Sequence, residues 1–373
     1  MTTTAISAVG DRVQHIRFNA LTSLRFAAAA WVVLYHTAPA SLTGDRNASI
    51  GGNLVGIGYT GVGIFFVLSG FILALVYGRI TSWPAAKAFL IARFARIYPA
   101  YLMSLLIDLP RLFLWRIEKY GDVFGVTLAL VTLSLQALIL PAFHPSVPAL
   151  NGPTWSIAVE VAWYLTYPLT AACLLRVQRT STIWFLLAAF WAIAIAVPMG
   201  LEQTWGRLDT VAEAQVKYGA LPRFPEFAVG LLLCKLYHKG PPGRSAWGPA
   251  FALLVGAVSM GAIVFVALNR QHIPYLVVHN GLLIPAYAGL IWALANCDGA
   301  VSAILAHPAL VLLGEASYSI YLLHMPLFYW VAPAQAEIEL ATYAVYLCGP
   351  PGNVLCDRAA VPDLDRWPVE RGL

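Results

Sequence analysis

Apolar residues occur along the chain in long, nearly unbroken runs separated by short charged or polar segments, without the one-sided periodicity of a soluble helix or the alternation of a half-buried strand. A membrane-crossing helix needs about 20 mostly apolar residues. The runs at 22–41, 57–78, 97–117, 155–175, 182–200, 221–237, 248–268, 276–295 and 308–332 meet or approach that length, and a weaker run lies near 337–348. The stretch 125–141 is only just long enough to cross. The pattern therefore predicts an all-α, polytopic membrane helix bundle of about ten transmembrane helices. No repeat or low-complexity tract interrupts it, and the longest polar loop is expected at 201–220.

The basic residues decide how 125–141 is read. With the N-terminus, including Arg12 and Arg17, in the cytoplasm and 125–141 re-entrant, fourteen of the 23 Lys and Arg residues fall on the inner side. A full span at 125–141 would move Arg176, Arg179, Lys235, Lys239 and Arg244 outward, against the positive-inside tendency. A re-entrant segment is the better expectation, and irregular backbone at that depth survives only inside protein or along a wet cavity. The expected organisation is a cytoplasmic segment 1–19, a transmembrane domain 20–348 and a tail 349–373. The first apolar run contains Arg25 and lacks the pattern of a cleavable signal. The expected location is the bacterial cytoplasmic (inner) membrane.

Composition agrees. Of 373 residues, 60% are hydrophobic and 11% charged, against roughly 25% charged in soluble domains, and the mean hydropathy is +0.72. The net charge of +5 is spread among apolar segments, which argues against nucleic acid as a partner and for the lipid bilayer. Cys173, Cys234, Cys297, Cys348 and Cys356 form no CxxC pair and read as ordinary thiols. Nothing in the pattern specifies an oligomeric state.

Ionisable groups within apolar runs are costly and invite a functional question. Arg25 stands eleven residues before His36, so at 100° per residue the two share one helix face, roughly 16 Å apart along the axis. An imidazole there can take a proton from a hydroxyl; the bland alternative is an interfacial His with a snorkelling Arg. Arg93 and Arg96, three apart, project to one side and either grip a phosphate or anchor the chain at the membrane surface. Gly63, Ser69 and Gly70 allow close helix approach. Pro153 and Thr154 read as a helix start, with Thr154 a candidate cap ahead of Trp155. Glu160 sits deeper in that run and either orders a cationic partner or positions a substrate hydroxyl. Arg223 and Glu226 pose a similar choice, since a local pair would neutralise both. Tyr318 and His324 are either pocket residues or interface anchors.

These residues include no close pair of metal ligands, no phosphate-binding Gly-rich loop and no G-x-S-x-G nucleophile, which argues against metallohydrolases, P-loop pumps and esterases. A transporter or flippase would also use intramembrane Arg, Glu and His, although no inverted repeat or paired broken helices are evident.

Taken in order, Arg25 with His36, Phe65-Phe66-Val67-Leu68-Ser69-Gly70-Phe71, Arg93-x-x-Arg96-Ile97-Tyr98-Pro99, Trp155-Ser156-x-x-x-Glu160, Arg223 with Glu226, and Ser317-Tyr318-x-x-Tyr321-x-x-His324 resemble the acyltransferase 3 family of membrane O-acyltransferases. The resemblance covers about 20–330. It implies acyl transfer, commonly of acetyl from acetyl-CoA, onto a hydroxyl of a saccharide, lipid-linked glycan or other small molecule, with acyl-CoA as co-substrate and no bound cofactor or metal. It also implies His36 as proton acceptor and Arg25 as its partner, with the Arg93, Arg96 and Tyr98 region meeting the donor; Glu160, from its place within an apolar run, is the third catalytic candidate. Ser69, Trp155, Arg223, Glu226, Tyr318 and His324 are further pocket candidates. Direct transfer and a route through an acyl-histidine both fit. One departure is the last apolar run, Ala341–Leu347, which breaks off into Gly349-Pro350-Pro351-Gly352 where the family usually has a full helix.

Overall fold

A computed structural model describes residues 3–38, 49–138, 151–205, 210–239, 248–297 and 299–332. Among them all regular structure is helical. The helices in chain order are α1 (Thr3–Thr37), α2 (Ile50–Gly56), α3 (Gly61–Tyr77), α4 (Trp83–Tyr120), α5 (Asp122–Ala137), α6 (Thr154–Leu174) and α7 (Thr180–Trp205). They continue with α8 (Thr210–Tyr218), α9 (Phe224–Lys239), α10 (Gly248–Asn269), α11 (Tyr275–Asn280), α12 (Ile284–Asn296), α13 (Ala300–Leu305) and α14 (Pro308–Val331). Eight segments among the described residues are long and apolar enough to cross a membrane. Their outer faces carry large apolar side chains such as Phe185 (70% exposed), Phe265 (65%) and Leu312 (65%). In water so much contiguous apolar surface would drive association; lipid is its natural solvent. The chain is a polytopic helical membrane bundle.

The directions of the helices follow from a few contacts. The carbonyl of Thr22 lies against Gly314, and His36 meets His324, so α1 and α14 run parallel. Tyr318 donates to the Ile97 carbonyl (3.0 Å) and Trp330 to that of Ile107 (3.0 Å), which aligns α4 with them. Helix α9 runs alongside α3, because Gly70 and Gly230 each rest on the other helix's backbone with no room for a Cβ. Tyr167 of α6 donates to the carbonyls of Leu73 and Gly78 (2.8 Å each), while Lys235 and Lys239 reach Gln178 and Thr180. One end of the bundle therefore gathers Arg79, Arg176, Arg179, Lys235 and Lys239, and we refer to it as the basic end.

Several boundaries differ from the sequence expectation. Helix α4 is continuous over 38 residues, about 57 Å at 1.5 Å per residue, so Arg93 and Arg96 lie within it rather than ahead of it. Ser82 caps its start by accepting from Ala85 N, with Pro84 in the first turn. Helix α5, at 16 residues, is about 24 Å long, short of the roughly 30 Å hydrocarbon core. It turns back along α4 until Tyr98 and Tyr101 bond the carbonyls of Ala137 and Gln136. The run 276–295 is broken at Gly281 into α11 and α12. The loop expected at 201–220 is partly helical, since α7 extends to Trp205 and α8 covers Thr210–Tyr218. Thr154 is not the cap; its hydroxyl donates to the Asn151 carbonyl (2.6 Å), and Pro153 precedes the first helical residue. The run near 337–348 lies outside the described residues.

Candidate active site

Arg25 faces inward from α1 into a cavity of about 110 Å³ whose walls come from α1, α3, α4, α6 and α14. Arg93 and Arg96 enter it from one side of α4, as their i,i+3 spacing dictates. Glu160 enters from α6, Ser69 from α3 and Tyr318 from α14. Tyr164, one turn after Glu160, donates to its carboxylate at 2.9 Å. Arg93 donates to the Tyr77 hydroxyl at 2.8 Å and lies over that ring, while its buried Nε has no hydrogen-bond partner. Glu160 feels the charges of Arg25, Arg96 and Arg93 together. Three guanidiniums against one carboxylate, next to the basic end, leave this space with an excess of positive charge, which is able to hold an anion.

Tyr98 is not among the cavity-lining residues. It stands two residues, or about 200°, around the helix from Arg96, so it stacks on Phe94 (ring centroids 4.5 Å apart) and bonds α5 instead.

His36 lies outside the cavity wall, toward the opposite end of α1, beside His324. Its Nδ1 is 3.2 Å from His324 Nε2 and 2.9 Å from the Val32 carbonyl oxygen. His324 Nδ1 in turn is 2.6 Å from the Tyr321 carbonyl oxygen. A carbonyl only accepts, so in the neutral pair each Nδ1 carries the hydrogen. His324 Nε2 is then the acceptor for His36, and the lone pair of His36 is fixed on Nε2. The rings of Tyr35 and Tyr59 continue from the pair, with Tyr35 5.0 Å from His36 and 5.3 Å from Tyr59.

Trp155, Arg223 and Glu226 form a separate cluster. Arg223 and Glu226 are each 1% exposed, joined by Nε–Oε2 and Nη2–Oε1 contacts of 2.9 Å each. The guanidinium lies over the Phe66 and Trp155 rings, 5.3 and 5.8 Å from their centroids, and donates to the His279 carbonyl. His279 bonds Asn280, whose amide donates to the Val216 carbonyl at 2.5 Å. The cluster ties α9 to α11 and the end of α8. Sequence reasoning missed His279, although an imidazole inside the run 276–295 was itself the signal. It also missed Tyr164, which the i,i+4 spacing from Glu160 would have found.

A family model described as an acyltransferase domain, Acyl_transf_3, matches residues 18–349. The chain belongs to the acyltransferase 3 family. Every residue that lines the cavity and both members of the histidine pair fall inside that match. This acyltransferase is similar to "Acyltransferase MdmB" of Streptomyces mycarofaciens, 29% identical over 327 residues that cover 83% of this chain and 78% of the relative. It is also similar to "Exopolysaccharide production protein ExoZ" of Rhizobium meliloti (strain 1021), 28% identical over 321 residues covering 85% of this chain and 91% of the relative. A Staphylococcus aureus (strain COL) protein, provisionally named an O-acetyltransferase, is 22% identical over 355 residues. That alignment covers 88% of this chain but 53% of the relative, so the acyltransferase spans about half the length of that protein. No solved structure matches the chain.

Proposed function

We propose that this acyltransferase carries an acyl group, acetyl in the simplest case, from acyl-CoA to a hydroxyl of a saccharide or related acceptor. In this reading donor and acceptor approach from opposite ends of the bundle. One alignment carries it: the arginine cavity and the histidine pair are linked by a single rigid helix, with Arg25 and His36 on one face of α1, roughly 16 Å apart. The phosphates of the donor meet Arg93 and Arg96, and its flexible pantetheine arm runs along the Arg25 face toward His36. The basic end then lies in the cytoplasm, where CoA thioesters are made, which agrees with the positive-inside tendency. The N-terminus is cytoplasmic and the membrane is a bacterial inner membrane.

In the chemical step His36 Nε2 takes the proton of the acceptor hydroxyl. The oxygen attacks the thioester carbonyl, a C–O bond forms as the C–S bond breaks, and His36 returns the proton to the departing thiolate. The Val32 carbonyl and His324 Nε2, both accepting from Nδ1, hold His36 in the productive tautomer. Arg25, set in the field of Glu160, offers a permanent positive charge along the donor's path. The Tyr35 ring beside His36 suits the apolar face of a sugar ring, and the name of one relative concerns exopolysaccharide production. A lipid-linked glycan or a glycosylated small molecule would present the same hydroxyl.

The test is transfer of labelled acetyl from acetyl-CoA by the full chain in proteoliposomes, with a panel of saccharide acceptors. His36→Ala is expected to lower turnover by about 10²–10⁴-fold, the usual contribution of a positioned base, while the chain still inserts. Undiminished turnover would reject the role of His36, and uptake of acceptor without release of CoA would point to a transporter.

A further inference from the structure

Pro326 stands inside α14, two residues after His324. Proline has no N–H, and its ring pushes against the carbonyl of the residue four before it, so the Leu322 carbonyl is left without its helical donor. Leu322 is fully buried, and in a bilayer a carbonyl freed in this way has to be satisfied by a neighbouring segment. Asn151 supplies the donor: its Nδ2 lies 2.7 Å from the Leu322 oxygen, across 171 positions of chain. The Asn151 backbone is itself held, because its carbonyl accepts from Thr154 N (3.0 Å) and Thr154 Oγ1 (2.6 Å) at the start of α6. Asn151 is 0% exposed, and its Oδ1 has no hydrogen-bond partner among the described residues. An apolar side chain would fill the same space without burying that oxygen, so the donation from Nδ2 is what the amide contributes.

The turn that this bond closes is the one that carries His324. The His324 Nδ1 donates to the Tyr321 carbonyl, and its Nε2 accepts from His36. A second contact fastens the same turn to the same segment, since the Tyr321 hydroxyl donates to the Pro153 carbonyl (3.1 Å) and accepts from Ser156 (2.9 Å). We infer that Asn151 is a positioning residue for acyl transfer: it replaces the N–H that Pro326 lacks, and so fixes His324 and, through it, the base His36. The inference rests on the proposed role of His36 and adds a residue that stands outside the arginine cavity. Helix α6 thus starts by securing the histidine pair and, nine residues after Asn151, brings Glu160 into that cavity. One helix ties the two halves of the site together.

The experiment measures acetyl transfer by the full chain in proteoliposomes, separated into kcat and KM. Asn151→Ala is expected to lower kcat about tenfold, at the lower end of what supporting groups are worth, with KM for acetyl-CoA unchanged. In a Pro326→Ala background, where position 326 regains its N–H, the same substitution is expected to cost less than about twofold, because the two changes act on one carbonyl. Undiminished kcat in Asn151→Ala, a loss confined to KM, or an equal loss in both backgrounds overturns the proposal. Should Asn151→Ala fail to fold, Asn151→Ser, whose shorter arm falls short of the carbonyl, is read in the same way. Solid-state NMR of the chain carrying isotope-labelled histidine reads the pair without any turnover. The signals of His36 and His324 are expected to move in Asn151→Ala, and to move less when Pro326→Ala is already present; unchanged signals in Asn151→Ala overturn the proposal. Undiminished turnover by His36→Ala would reject the reading on which the inference rests, and the NMR comparison would still decide whether Asn151 sets the pair.

Discussion

Two regions of this bundle bury an arginine beside a glutamate, and they are put together in opposite ways. Around Arg223 and Glu226 the charges match one to one, the pair is sealed by Phe66 and Trp155, and both residues are 1% exposed. Around Arg25 and Glu160 the arginines outnumber the carboxylate, and the group surrounds a cavity rather than a contact. Desolvating a charge is tolerable when a partner repays it in place. The first cluster is therefore matched charge for charge and ties α9 to α11 and the end of α8. The second carries more positive than negative charge around an open space, the space that the proposed function gives to the donor's phosphates. The same residue types thus form two differently built sets, distinguished by stoichiometry and space.

That contrast is easiest to break by removing one arginine at a time. Arg223→Ala leaves Glu226 as a buried, unpaired charge, and loss of one partner from such a pair costs about 3–5 kcal/mol. Thermal unfolding in detergent is expected to show a large drop in midpoint or a failure to accumulate. Arg25→Ala is expected to leave the unfolding midpoint close to that of the wild type, because it relieves repulsion from Arg96 and Arg93 as well as losing the attraction of Glu160, while acyl transfer falls at least a hundredfold. Equal destabilisation by the two substitutions would dissolve the distinction between the clusters.

A smaller effect is expected at the histidine pair. His324→Phe keeps an aromatic ring but removes one of the two acceptors at His36 Nδ1, the Val32 carbonyl remaining, and such supporting groups are typically worth about 10–100-fold. The loss should fall on kcat with little change in KM, and His324→Gln should recover part of it. A change confined to KM would assign His324 to binding instead. The smallest effect is expected from Tyr98→Phe. It removes a 3.3 Å hydrogen bond to the Ala137 carbonyl at about 0.5–1.5 kcal/mol of stability and leaves acyl transfer unchanged. A loss of donor affinity in that variant would return Tyr98 to the cavity.

Much of the scaffold was legible beforehand, because a run of twenty apolar residues has few stable forms other than a membrane helix. The part that escaped was an interruption inside a run. The break at Gly281 falls within the run 276–295, which apolar composition alone reads as one continuous helix. The candidate site was legible as residue types but only partly as an arrangement. Arg93 and Arg96 announce a shared side by their spacing, yet nothing local says that Tyr98 turns away to α5 or that Arg223 closes on Glu226 and the His279 carbonyl.

The amino-acid sequence by itself determined the solvent, the helical class, the family and the shared face of Arg25 and His36, because each follows from composition, periodicity or motif order. Only the tertiary structure decided that residues as distant as Arg25, Arg93 and Glu160 surround one space, and that His324 meets His36 across 288 positions of chain. The physical reason is that hydrocarbon tails and protein interiors are nearly equivalent solvents for apolar side chains. A membrane helix therefore carries little local record of which face meets lipid, and packing alone reveals which polar groups it brings together.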